Sequence, residues 1–287
     1  MADQFSDQFR LSITRALGDQ LADALDKLTP APLTQANLDA LDERARIEKL
    51  HSRSGVYQLH RGPERDLVYV GKADKPLSSR LGNHLRKISG RRNISIEEMT
   101  FKCLYVAEDF SAVAPEKLLI KKYKESGHIP WNANGFGNKD PGRNRDRTVL
   151  KANHFDMLFP IDLNRTVEGL TPGEQSLFEL LQQIKQGLPY NFRYKESAQF
   201  KKIAVSVPEY EMTADAVFQV VSEALPDSWQ ISALMGYAIM YDDRDMDYAG
   251  AWRYYRGDQV LAAQPASKAA SDADEDDQSE EDEDEEA

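Results

Sequence analysis

The chain has 287 residues, 41% of them hydrophobic, and a formal net charge of −12 at pH 7. That length suits one large or two modest domains with a sizeable core. The single cysteine, Cys103, excludes an intrachain disulfide and a cysteine-based zinc cluster; with no signal peptide and no 18-residue apolar run, the sequence predicts a soluble, cytoplasmic protein with no membrane partner.

In chain order, Ile13, Leu17, Leu21, Leu25 and Leu28 recur at helical spacing and predict a helix over 9–28, stopped by Pro30 and Pro32. A second helix is expected over 35–50, so residues 1–53 read as an N-terminal helical arm. Two short runs rich in valine and tyrosine follow, 55–61 and 67–72, joined by the turn signal Arg61-Gly62-Pro63-Glu64-Arg65. They predict an antiparallel hairpin. Tyr57 and Tyr69 then lie on neighbouring strands, where their hydroxyls can converge, although tyrosine also favours strands for plain packing reasons.

Leu77, Leu81, Leu85 and Ile88 form the apolar stripe of a helix over 77–88. Arg80 and His84 are four apart, so they share a face beside that stripe. A phosphate-binding pair is the sharper reading; a solvated arginine and a capped histidine is the plainer one. A third strand is expected over 100–107 and a helix over 112–125. On that helix Glu116 shares a face with Leu119, Ile120 and Tyr123. A carboxylate in an apolar stripe is costly unless paired or bound to metal, so a metal ligand and a buried salt bridge both fit.

Partitioning the charge changes its meaning. Residues 272–286 hold 12 acidic residues and no basic ones, so the rest of the chain is neutral. Residues 72–151 hold 17 Lys plus Arg against nine Asp plus Glu, the footprint expected of phosphate binding. Its dense points are Arg91, Arg92, Arg143, Arg145 and Arg147, and the last three are candidates for groove contacts, including arginine to guanine.

Beyond Glu168 a second unit is expected over 169–260. Thr171-Pro172-Gly173-Glu174 reads as a capping box with proline at the first helical position. It would open a helix carrying Leu177, Leu181, Ile184 and Leu188. A strand over 203–207 and a helix over 214–225 follow; 232–241 is apolar and ambiguous. This α/β extension carries no motif that assigns it a role. Residues 261–287 are low-complexity and acidic and are predicted to be disordered, serving as a solubility tail or as a competitor with DNA for the basic surface.

The succession of Gly55-Val56-Tyr57, Tyr69-Val70-Gly71-Lys72, Arg80, His84 and Glu116, followed by an asparagine, resembles the catalytic core of GIY-YIG nucleases. The resemblance covers residues 54–134. It implies an α+β fold with a small three-stranded antiparallel sheet flanked by helices, and a nuclease core with its DNA-binding loop over 54–168. The asparagine is Asn132 or Asn134, with Asn132 preferred. The stretch 131–146, with Gly135-Phe136-Gly137-Asn138 and Asp140-Pro141-Gly142-Arg143, is similar to type II restriction endonucleases of the superfamily, as is His154-Phe155-Asp156 with Phe159-Pro160-Ile161. Members of that branch read the palindrome CCGCGG as dimers.

That resemblance implies site-specific hydrolysis of double-stranded DNA. Glu116 would hold one Mg²⁺, for which Mn²⁺ could substitute, as a Lewis acid. Tyr57 would be the general base. A free phenol titrates near pH 10, so it needs a cationic neighbour, for which Lys72 is the candidate. Arg80 would stabilise charge on the phosphate, His84 would shuttle a proton or hold Tyr57, Tyr69 would orient and pack, and Asn132 would fix the site by hydrogen bonds. Asn134 is a further DNA-contact candidate. One active site per core implies a homodimer for a double-strand cut at a palindrome, and such an enzyme works beside a methyltransferase of the same target. Two alternatives stay open: a structure-selective repair or homing nuclease, and a DNA-binding protein without activity.

Overall fold

The structure is a computed structural model and describes residues 13–50, 52–106, 115–125, 129–137 and 146–269. Its elements in chain order are α1 (Ile13–Asp26), β1 (Ala31–Pro32), α2 (Gln35–Ile47), β2 (Gly55–Arg61), β3 (Asp66–Ala73), α3 (Leu77–Ser89), β4 (Met99–Tyr105) and α4 (Pro115–Glu125). There follow β5 (Leu150–Lys151), α5 (Phe155–Leu158), β6 (Gly173–Ser176), α6 (Leu177–Gly187), β7 (Phe192–Tyr194), β8 (Ala204–Val207), α7 (Ala214–Ala224), β9 (Gln230–Leu234), β10 (Ala238–Tyr241), β11 (Ala251–Arg256), β12 (Gln259–Ala262) and β13 (Ser267–Lys268). No helix among the described residues is long and apolar enough to cross a membrane.

The first sheet has the order β1-β4-β2-β3 and is antiparallel throughout. The hairpin forms as the two valine- and tyrosine-rich runs and their turn signal predict, and the strand expected over 100–107 spans Met99–Tyr105. The two-residue β1 adds a short fourth strand beside β4. Because side chains alternate across a strand, the sheet has two covered faces. Tyr57, Leu59, Tyr69 and Ala73 pack with Leu77, Leu81 and Ile88 of α3 and Leu38 of α2. Val56 and Val70 pack on the other side with Ala22 and Leu25 of α1 and Leu119 of α4. The N-terminal arm is therefore divided between the faces, α1 on one and α2 on the other.

A second core begins at Ile161 and Leu163 and runs to Tyr255. It is built by α6 and α7 against a five-stranded sheet of order β12-β11-β9-β10-β7. The apolar stripe foreseen for α6 is buried as Leu177, Leu181 and Ile184, but the helix start is not. Gly173–Ser176 is a strand pairing with β8, and Gly173 has φ +106°, a left-handed value outside any helix. The capping box sits at Ser176 and Glu179 instead, each side chain bonded to the other's backbone N–H. The ambiguous stretch 232–241 resolves into β9, a turn and β10, antiparallel partners.

Two buried carboxylates join the units. Asp156 on α5 pairs with Arg91, which follows α3, at 2.9 Å, and Arg91 also donates to the carbonyls of Phe159 at 3.2 Å and Met235 at 3.3 Å. Asp146 accepts from Arg193, from the Tyr237 hydroxyl at 2.8 Å and from the Tyr241 hydroxyl at 3.3 Å. The expected tail of 261–287 starts later than foreseen in its described part. Residues 261–262 end β12, and Ser267 and Lys268 pair in parallel with Leu150 and Lys151, whose backbone groups give this segment partners that its composition does not announce. Residues 270–287 lie outside the described residues.

Candidate active site

The register of the hairpin places Tyr57 opposite Gly71 and Leu59 opposite Tyr69, so the two tyrosines are diagonal neighbours on one face. Their ring centroids are 6.0 Å apart. A Cβ added to Gly71 would lie 2.4 Å from Tyr57 Cζ and from its hydroxyl oxygen. Glycine is therefore required here for close approach: the Tyr57 ring lies across the bare backbone of its cross-strand partner.

On α3, Arg80 and His84 reach over this face as their four-residue spacing predicts. The Tyr57 hydroxyl is 2.7 Å from His84 Nε2, and Arg80 Nε donates to the same hydroxyl at 3.3 Å. Tyr57 is fully buried and His84 is 4% exposed. Burial, reinforced by the neighbouring Tyr69, pushes the Tyr57 phenol well above its ordinary value, with Arg80 pulling the other way. Tyr69 is raised as well, by burial first. Burial, then the charges of Arg80 and Lys87, push His84 well below the usual imidazole range. Near neutral pH the phenol holds its proton and the imidazole is neutral. The Tyr57 oxygen then accepts from Arg80 and shares a hydrogen bond with His84 Nε2, whose direction follows the imidazole tautomer.

Glu116 stands half-buried in the first turn of α4. Its charge acts on both phenols, raising Tyr57 and Tyr69 further. Among the described residues, no group of three or more His, Cys, Asp or Glu could hold a metal ion. The donor on offer is a single carboxylate whose charge reaches both phenols. That suits a hard cation keeping most of its waters, and does not suit zinc.

Asn132 lies beside β3, the edge strand. Its Oδ1 accepts from Val70 N at 2.9 Å and its Nδ2 donates to Val70 O at 2.7 Å. It thus replaces a neighbouring strand between Tyr69 and Gly71. Asn134 turns the other way: its Oδ1 accepts from Phe136 N, and its carbonyl accepts from Phe155 N at 2.7 Å.

Lys72 pairs with Val56 across the hairpin, so it shares the face covered by α1 and α4, and it forms an ion pair with Asp74 at 2.8 Å. The cation at the Tyr57 hydroxyl, the part foreseen for Lys72, is Arg80. Arg91 is not a surface contact for DNA. It is 5% exposed and committed to Asp156 and two carbonyls, because a buried guanidinium must satisfy its donors. Arg92 and Arg147 are exposed, and Arg92 lies 5.8 Å over the Trp252 ring. Arg143 and Arg145 lie outside the described residues.

The loop after Asn132 contributes a residue that pattern reading passed over. Phe136 is 1% exposed, stacks on His84 at 4.8 Å and 19°, and meets the Tyr69 ring edge-on at 5.0 Å. Gly137 lies beneath Tyr69, where a Cβ would fall 2.5 Å from the hydroxyl. The repeated glycines around Phe136 were the available signal for such close packing.

Residues 68–187 match the family model described as the Eco29kI GIY-YIG domain. No curated protein matches the chain. The matched interval includes Tyr69, Arg80, His84, Glu116 and Asn132 and runs to the end of α6, while Tyr57 and its strand precede it. Over these residues the chain is similar to the GIY-YIG domain of a restriction endonuclease, which supports a DNA endonuclease of restriction type.

Proposed function

We propose that this chain is a type II restriction endonuclease. It hydrolyses phosphodiester bonds in double-stranded DNA at a specific GC-rich palindrome, of which CCGCGG is the candidate, and acts in the cytoplasm as a homodimer. The observation that carries the reading is the convergence of Tyr57, Arg80 and His84 at one hydroxyl, at 3.3 Å from Arg80 and 2.7 Å from His84, with the charge of Glu116 acting on it.

Tyr57 is the general base in this reading. It takes the proton of the attacking water as it passes its own to His84 Nε2, which leaves an imidazolium and a hydroxide equivalent directed at phosphorus. The raised phenol does not need to ionise beforehand, because donation to His84 and acceptance from water occur together. Arg80, fixed by its bond to Tyr57, presents its remaining N–H groups to the phosphate and offsets the charge that grows there. Glu116 would hold Mg²⁺, which would supply Lewis-acid help to the phosphate and the leaving oxygen. Tyr69 and Asn132 keep β3 and Gly71 beneath the Tyr57 ring. A methyltransferase of the same specificity is the partner this activity calls for.

The test is digestion of unmethylated phage DNA with Mg²⁺, wild type beside Glu116→Ala, followed by sequencing of the ends. Discrete fragments ending at one palindrome from wild type alone are expected. Cutting by Glu116→Ala at the wild-type rate removes Glu116 from the site. Cleavage confined to branched substrates replaces the restriction reading with a structure-selective nuclease.

A further inference from the structure

Lys87 lies three residues after His84 on α3, on the same side of the helix. Its Nζ donates to the Phe136 carbonyl at 2.7 Å and sits 5.1 Å from the centroids of both the Phe136 and Phe155 rings. Phe136 in turn stacks on His84. The catalytic helix and the loop that bears Asn132 are thus fastened together one turn beyond the imidazole. A lysine folded inward over two aromatic rings, with an ammonium on a main-chain oxygen, is an unusual use of a residue that ordinarily reaches for water.

We propose that Lys87 is a positioning residue of the active site: its ammonium latches the Phe136 carbonyl and so holds the Phe136 ring flat against His84, fixing the imidazole at the Tyr57 hydroxyl. The inference rests on the reading of Tyr57 and His84 as the proton relay. The charged and titratable groups facing His84 are Tyr57 from β2, Tyr69 from β3, and Arg80 and Lys87 from its own helix. Lys87 therefore has a second effect through the same contact, since its positive charge disfavours protonation of the imidazole that must accept from Tyr57.

The experiment compares wild type, Lys87→Met, Lys87→Arg, Phe136→Leu and Tyr57→Phe in single-turnover cleavage of unmethylated phage DNA with Mg²⁺ across pH 5.5–8.5. Imidazole titration of each variant by NMR accompanies it; the chain has only five histidines. Lys87→Met keeps the aliphatic stem and removes donor and charge. Its rate at pH 7 is expected to fall about tenfold, its acid limb to move to higher pH as His84 becomes easier to protonate, and its DNA affinity to hold. Lys87→Arg should recover most of the rate. Phe136→Leu should lose rate with little movement of the limb, since charge and carbonyl remain. A Lys87→Met enzyme with the wild-type rate, limb and His84 titration overturns the proposal while an inactive Tyr57→Phe leaves the relay standing. Wild-type cutting by Tyr57→Phe removes the relay and the proposal with it.

Discussion

The Tyr57 hydroxyl lies 2.7 Å from His84 Nε2, and this contact joins the two elements that the chain must bring together, strand β2 and helix α3, 27 residues apart. Arg80 completes it from one helical turn earlier. The site is thus a strand presented to a helix face, and both partners are fixed by packing before any substrate arrives.

Tyr57→Phe removes only the oxygen and leaves the ring across Gly71. Cleavage should slow by about 10²–10⁴-fold, the usual contribution of a positioned acid–base group, with DNA affinity little changed and stability lowered by about 1–3 kcal/mol for the bonds left unmade at His84 and Arg80. Single-turnover rates beside melting curves check it. A variant that cuts at the wild-type rate places the base elsewhere.

Gly71→Ala attacks the same residue from beneath. The new Cβ would lie 2.4 Å from Tyr57 Cζ, so the ring must shift, and a displacement of about 1 Å commonly costs on the order of 100-fold in rate. The expected outcome is a folded, inactive protein. Unimpaired cleavage would show that the ring has room the geometry denies.

Asn132→Ala strips both hydrogen bonds from Val70 at the sheet edge. Leaving such groups unpaired costs about 1–3 kcal/mol, and β3 should loosen around Tyr69. A lowered melting temperature together with slower cleavage is expected; Asn134→Ala should spare β3, since its contacts are with Phe136 and Phe155. If the two variants behave alike in hydrogen exchange at Val70, the edge-strand role of Asn132 fails.

Acid should weaken the fold through His84. Its folded pKa is depressed, by burial first, while an unfolded imidazole titrates near 6.5. The sign follows from proton uptake: below about pH 6.5 the unfolded chain binds a proton that the folded chain refuses, so stability present above that pH is lost as pH falls. One such group contributes up to about 1.4 kcal/mol per pH unit. Calorimetry between pH 7.5 and 5 should show a shallower decline for His84→Asn than for wild type; parallel curves would mean that the imidazole titrates alike in the folded and unfolded chains.

Much of this site was legible because it rests on local signals. Strand-favouring runs joined by a turn signal set the hairpin and brought Tyr57 and Tyr69 onto neighbouring strands; period 3.6 set the stripe of α3 and put Arg80 beside His84. Where reading failed, the deciding partner was remote or the pattern was duplicated. Thr171 and Glu174 imitate a capping box, but Ser176 and Glu179 present the same chemistry five residues on, and Gly173 in the left-handed region excludes the first. Lys72 looked available to Tyr57 until the register gave Gly71 as the partner. Phe136 and Lys87 meet only because the loop after α4 folds back on α3, which no local pattern announces.

Arg91 and Arg92 make the sharpest case, being adjacent in sequence and opposite in consequence. Arg91→Ala leaves Asp156 buried without its cation, a loss of about 3–5 kcal/mol for a broken buried pair, so it should unfold readily and lower cleavage through loss of the joint between the two units. Arg92 is exposed, and Arg92→Ala should stay within about 0.5 kcal/mol of wild type in stability. If Arg92 meets a DNA phosphate, its loss should flatten the slope of log K against log salt by about 0.9 while affecting all sequences alike. Binding titrations at several salt concentrations, beside melting curves, separate the two. An unchanged salt slope would take Arg92 out of the DNA interface, and a fully stable Arg91→Ala would mean that Asp156 finds another partner.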